Sequence, residues 1–166
     1  MGSTDRTNDG TIEDSPRGGY LIRFAQTYPT TPEDLWDAVT DAARISRWMA
    51  PLDGDLRLGG HWTAHFDDGS AFTAGTVTAC DAPTSYTTTW QANGEDETTL
   101  VVRVEAVPDG AALRLEHDRV ASRNYGAGWH TYLELLALEA AGDHDGIASF
   151  DWDARYAELT PRYRAA

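Results

Sequence analysis

Six segments of alternating apolar and polar residues run in close succession from Asp53 to His117: "GDLRL", "GGHWTAHF", "AFTAGTVTAC", "SYTTTW", "ETTLVVRVEAV" and "AALRLEH". Short turn signals separate them: Gly59-Gly60, Asp67-Asp68-Gly69, Ala82-Pro83, Asn93-Gly94 and Pro108-Asp109-Gly110. Period two places successive side chains on opposite faces of a sheet. Connections this short cannot hold a crossover helix, so the strands follow one another as an antiparallel meander. An earlier segment, "YLIRFAQTY", alternates as well. Tyr20, Ile22, Phe24 and Tyr28 share one face and Arg23 takes the other.

Two short helices are predicted between that first strand and the meander. Thr31 suits the N-cap of one, Pro32 its first position, and Glu33 and Asp34 its positive dipole end. Leu35, Trp36 and Val39 form its apolar stripe. The second holds Ile45, Trp48 and Met49 at helical spacing, and Pro51 stops it. After the meander the period changes to 3.6. Trp129, Leu133, Leu136 and Ala140 line one face of a helix over 124–141, which Gly142 ends. Trp152, Tyr156 and Leu159 predict a small amphipathic helix before Pro161, within an extension over 147–166. The expected architecture is α+β: a seven-stranded antiparallel sheet whose apolar face the long helix covers.

A chain of 166 residues is most simply one domain. Residues 1–16 are polar and predict a flexible tail, which leaves 17–166 as the folded unit. The net charge of −14 argues against nucleic acid and against an anionic membrane surface. All 13 basic residues are Arg, so lysine Schiff-base and P-loop chemistry are excluded. The single Cys80 permits no internal disulfide. No apolar run reaches the ~18 residues of a membrane span, and the N-terminus shows no signal pattern. A cytoplasmic protein is expected.

The stretch "ISRWMAPL" followed by "RLGGHW" resembles the Hsp90-ATPase-activator-like branch of the START, or Bet v 1-like (SRPBCC), superfamily. "GTVTACDAPTSYTTTW", "LRLEH" and "GWHTYLELL" match the same branch in order, so the resemblance spans Tyr20 to Gly142. It implies a helix-grip fold, a curved sheet wrapped around the C-terminal helix. Members of the superfamily bind lipids, hormones and polyketides. Some cyclise their ligands, and a few bacterial relatives protect their producer from a reactive natural product. The additional domain of the true co-chaperone has no counterpart in this length, which ranks chaperone regulation last.

The candidate site residues are those expected on the concave face. Trp62 and Phe66 share a face of one strand, Tyr86, Thr88 and Trp90 of another, and Leu113, Leu115 and His117 of the last, all turned toward Trp129 and Leu133. Each can be plain core, and as a set they can wall an apolar pocket with a few polar tips. Thr88 and His117 need partners there, which a ligand or a cavity water could supply. His117 is the candidate base or orienting group. His61 and His65 stand roughly 13 Å apart along a strand, so they cannot grip one ion. His65 with Asp67 is weak as a metal pair. His130 and Glu134 read as a solvated pair, and Cys80 as a small packed residue. There is no catalytic elbow, Cys-x-x-Cys or dinucleotide fingerprint.

The leading expectation is a protein that holds a small apolar or aromatic molecule, lipid-like or polyketide-like, without metal or cofactor. A homodimer is compatible with it. One alternative is a cyclase or dehydratase in which His117 or a Tyr moves protons. Another is self-protection, with Gly126 and Gly128 as exposed backbone that a reactive ligand attacks.

Overall fold

The computed structural model describes residues 8–165. Its elements are β1 (Thr11–Asp14), β2 (Tyr20–Tyr28), α1 (Pro32–Thr40), α2 (Ala42–Trp48), β3 (Leu52–Gly54), β4 (His61–His65), β5 (Ala71–Asp81), β6 (Ser85–Ala92), β7 (Thr98–Val107), β8 (Gly110–Val120), α3 (Asn124–Ala140), α4 (His144–Ala148) and α5 (Trp152–Arg164). The strands form one antiparallel sheet in the order β1-β2-β8-β7-β6-β5-β4-β3. Helices cover one of its faces. This is a helix-grip arrangement with a meander of consecutive neighbours from β3 to β8.

The local signals act as the side chains require. Thr31 Oγ1 accepts from Asp34 N at 3.1 Å, and Pro32 opens α1 behind it. Asp41 caps α2 in the same way through Arg44 N at 3.0 Å. Past the end of α3, Gly142 sits at φ 71, and the amides of Gly142 and Asp143 return to Glu139 and Leu138 carbonyls. Alternation holds along β2, β6, β7 and β8, where Ile22, Tyr86, Trp90, Leu100, Val102, Leu113 and Leu115 are all buried.

The sheet has eight strands rather than seven. Thr11–Asp14, assigned by composition to a flexible tail, pair with Tyr20–Arg23 as the edge strand β1. A backbone ladder needs no apolar side chains, so polar composition does not prevent it. Residues 1–7 of the expected tail lie outside the described residues. "GDLRL" is not a strand. The Asp55 carboxylate folds back onto the Arg57 amide (2.9 Å) and guanidinium, turning the chain there and leaving Leu58 66% exposed. Pro161 lies inside α5, which continues to Arg164, instead of following the helix. The turn after the proline is held by Tyr163, whose buried hydroxyl is bonded on two sides.

The long helix is buried on more than one stripe. Trp129, Leu133 and Leu136 face the sheet, while Ala127, His130, Thr131 and Leu135 are also buried. α5 packs along α3 and covers much of what a single-layer reading leaves to solvent.

Candidate functional site

The concave face of the sheet, α2 and α3 enclose a small apolar void. Its wall includes Trp62, Tyr86, Thr88 and Trp90 from β4 and β6, Leu100 and Val102 from β7, Leu113 and Leu115 from β8, and Trp129 from α3. Val39 of α1 and one continuous segment complete it, with Ile45 and Trp48 of α2, Met49 just past its end, and then Leu52 and Leu56. Five of the eight predicted site residues thus border one space. Its volume is about 30 Å³, room for one or two waters and far below the ~300–1,000 Å³ of a ligand pocket. The roomy pocket expected from the sequence is nearly filled because the indoles themselves occupy it. Trp62 and Trp129 each lie 5.4 Å from Trp90, centroid to centroid.

Glycine makes that packing feasible. A Cβ at Gly75 would lie 2.6 Å from the Trp62 ring and 2.0 Å from the Thr89 carbonyl oxygen. The glycine of the "GTV" segment is therefore where β5 lets the Trp62 indole lie down on the sheet.

The polar tips of the wall are mostly satisfied within the protein. Trp62 Nε1 donates to Thr88 Oγ1 at 2.8 Å, Trp48 Nε1 to the Ala38 carbonyl at 2.8 Å, and the Tyr86 hydroxyl to the Val39 carbonyl at 3.0 Å. Thr88 Oγ1 lies 2.9 Å from its acceptor, the Thr89 carbonyl. The Trp90 N–H is the exception. It is buried without a well-formed hydrogen bond and leans only weakly on the Tyr125 hydroxyl.

His117 stands behind the wall, fully buried. Trp129 Nε1 donates to its Nδ1 at 3.0 Å. Its Nε2 must then carry the proton and donate to Thr98 Oγ1 at 2.8 Å, and Thr98 in turn donates to the Trp90 carbonyl at 2.8 Å. Burial pushes its pKa down to about 3. Both nitrogens are engaged and the ring is neutral, so this arrangement gives His117 no free atom for proton transfer. The partners that Thr88 and His117 require are supplied by the fold.

The other candidates fall elsewhere. Leu133 is fully buried in the core and does not border the void. Phe66 is 54% exposed, because it lies just past the end of β4 at the mouth of the β4–β5 turn, where its amide donates to the Ser70 carbonyl and its carbonyl accepts from the Gly69 amide. It meets Phe72 at 5.0 Å on the outer end of the β4–β5 hairpin. His61 Nδ1 lies 2.7 Å from Thr76 Oγ1, and His65 Nδ1 lies 3.0 Å from the Gly69 carbonyl. Among the described residues, no three His, Cys, Asp or Glu side chains come together as a metal site. Cys80 is half-buried on β5. Gly126 is not exposed backbone; a Cβ there would strike the Tyr163 ring at 2.4 Å. Gly128 is partly buried and lines an outer groove, not the void.

His130 and Glu134 are not a solvated pair. His130 is 3% exposed, with Nδ1 2.7 Å from the Tyr163 hydroxyl and Nε2 3.3 Å from Glu134 Oε2. Glu134 also takes two bonds from Arg155, at 2.8 and 2.7 Å. Burial raises the Glu134 pKa, but the His130 and Arg155 contacts outweigh it and hold the carboxyl at about 2. The Tyr163 hydroxyl accepts from Gly10 N at 2.9 Å. The cluster clasps the N-terminal segment, α3 and α5 together. Sequence spacing gave only its i, i+4 pair, since the covering elements are remote in the chain.

An antiparallel sheet gripping a C-terminal helix, with an aromatic-walled core between them, defines a protein of the START/Bet v 1-like (SRPBCC) class. Residues 29–141 match the family model "Activator of Hsp90 ATPase homolog 1-like protein", and the chain belongs to that family. No curated protein matches the sequence. Among solved structures it is similar to CalU16 from Micromonospora echinospora, with 27% identity, a TM-score of 0.75 and 94% of each chain covered. DynU16, described as a protein in the dynemicin biosynthetic locus, shares the fold at 21% identity and a TM-score of 0.64, over 70% of this chain and 45% of that one. The Aha1 dimer from Colwellia psychrerythraea shares it at 16% identity and a TM-score of 0.65, over 74% of this chain and 97% of that one. Among the described residues no helix is long and apolar enough to cross a membrane.

Proposed function

We propose that this protein binds a small apolar or aromatic molecule of natural-product type in the space between sheet and α3, and that α2 moves to admit it. The observation that carries the reading is the wall itself. Indoles, Tyr86 and aliphatic side chains surround the void, and most of their polar atoms are already bonded away from it. An apolar ligand entering there strips few polar groups of partners. The side formed by Ile45–Leu56 is one short segment with adaptable Met49 at its bend, so one displacement opens the void. The biosynthetic locus named for DynU16, which shares the fold, supports the choice of a ligand of natural-product type. With His117 locked and neutral, the site favours holding a molecule over turning one over.

Titration with the neutral fluorophore N-phenyl-1-naphthylamine tests this. Saturable one-to-one binding that quenches Trp emission is expected. Val102→Phe, which fills the void, weakens it about tenfold, and Leu115→Ala, which enlarges the void, strengthens it. Binding insensitive to both variants overturns the proposal.

A further inference from the structure

A second concavity lies on the outside of the molecule and is unrelated to the void. Four remote segments build it: the β4–β5 hairpin, the β6–β7 loop, the first half of α3 and the start of α5. Its volume is about 500 Å³, within the range of small-molecule sites. One wall is the Phe66–Phe72 pair. The facing wall is a run of three rings, in which Tyr132 lies 5.3 Å from Trp152, and Trp152 stacks on Tyr156 at 4.9 Å and 13°. A Cβ at Gly128 would meet nothing nearer than Tyr156 at 4.0 Å, so α3 offers an open floor.

Glu95 carries the one formal charge among the lining residues. The Tyr125 hydroxyl donates to its Oε2 at 3.0 Å and fixes it at the groove's end. Among the described residues Glu95 forms no ion pair, and Asp96 and Glu97 follow it on the same exposed loop. Arg164 donates to the lining residue Asn124, at Oδ1 and 3.2 Å, and does not itself line the groove. Aromatic faces attract cations through their quadrupoles, and a carboxylate beside them adds to that field. The half-exposed Phe66, unexplained by the core, acquires a role as one jaw of the groove.

We propose that this groove binds a planar aromatic cation, its rings held between the Phe66–Phe72 and Trp152–Tyr156 walls and its charge facing Glu95. The site is independent of the interior void.

The probe is thioflavin T, a planar aromatic monocation, followed by fluorescence and by calorimetry. The wild-type protein is expected to bind it saturably, one to one, and more weakly as salt rises. Gly128→Leu fills the floor at a helix position where leucine is the better helix former, so it folds and binding falls about tenfold. Phe66→Ala, on an exposed residue, lowers affinity, and Glu95→Gln lowers it about threefold to fivefold. Val102→Phe leaves it unchanged. The proposal is overturned if the wild type shows no saturable binding, or if binding survives Gly128→Leu. It is also overturned if Glu95→Gln has no effect, if the anion 8-anilinonaphthalene-1-sulfonate binds the groove as tightly, or if Val102→Phe abolishes binding and so places the dye inside.

Discussion

The indole N–H of Trp129 donates to Nδ1 of His117 across 3.0 Å, and this bond joins the long helix to the eighth strand in the interior. It fixes the tautomer of His117, directs the other nitrogen at Thr98, and makes the imidazole a structural crosslink.

That crosslink has a pH signature. The unfolded chain protonates the imidazole as pH falls through about 6.5, whereas the folded chain resists until about 3 because of burial. The His117 contribution is therefore complete above the unfolded value and is lost as pH falls, at about 1.4 kcal/mol per unit across the window between the two. In a histidine NMR titration the His117 ring should keep its neutral shifts down to about pH 4.5. A midpoint near the ordinary histidine value would contradict the assignment.

Trp129→Ala removes both the indole area and the bond to His117. Burial alone sets a cost of ~3–5 kcal/mol. Trp129→Phe keeps most of the area but strands the histidine nitrogen, and should cost about 1–3 kcal/mol. Denaturant unfolding of both variants measures this, and a Phe variant as stable as the parent would show that the bond contributes nothing.

Deleting the chain through Asp14 should destabilise the protein. The deletion removes the β1 ladder, the Gly10–Tyr163 bond at 2.9 Å, the Arg162–Asp9 pair at 2.9 Å and the Gln26–Asn8 bond at 3.1 Å. At ~0.5–1.5 kcal/mol per bond the loss is several kcal/mol. An unchanged unfolding midpoint would mean that the segment merely rests on the domain.

Glu139 is buried near the C-terminal end of α3, with Arg47 of α2 at 3.4 Å from Oε1 and no hydrogen-bond partner for Oε2. A carboxylate there also opposes the helix dipole. Arg47→Ala removes the nearest of its cationic partners, with His144 Nε2 remaining at 3.8 Å from Oε1, and should cost about 1–3 kcal/mol, whereas Glu139→Gln should cost less or stabilise. Thermal unfolding orders the two, and the reverse order would show that the ion pair itself is the stabilising element.

Alternation and turn chemistry made the sheet legible, because Tyr86, Trp90, Leu113 and Leu115 obey period two and bury one face. Phe66 defeated the same rule, since β4 ends at His65 and the hairpin turn that begins there frees the next side chain from the sheet face. The edge strand β1 was illegible because ladder bonds belong to the backbone. The wall of the void was legible as a set of aromatics. Its small volume was not, because periodicity says which way an indole points and nothing of how far it reaches. The buried setting of His130 depends on Tyr163 and Gly10, neighbours that only the tertiary fold brings to it.

The central claim is that an apolar ligand occupies the space behind α2, and methyl NMR reads it most directly. With Leu, Val and Met methyls labelled and N-phenyl-1-naphthylamine added to saturation, the methyls of Leu100, Val102, Leu115 and Met49 should shift together and show contacts to the probe. Those of the exposed Leu58 should stay still. If the four interior residues do not move at saturation, the void is simply a packing defect of a closed core and the binding account is wrong.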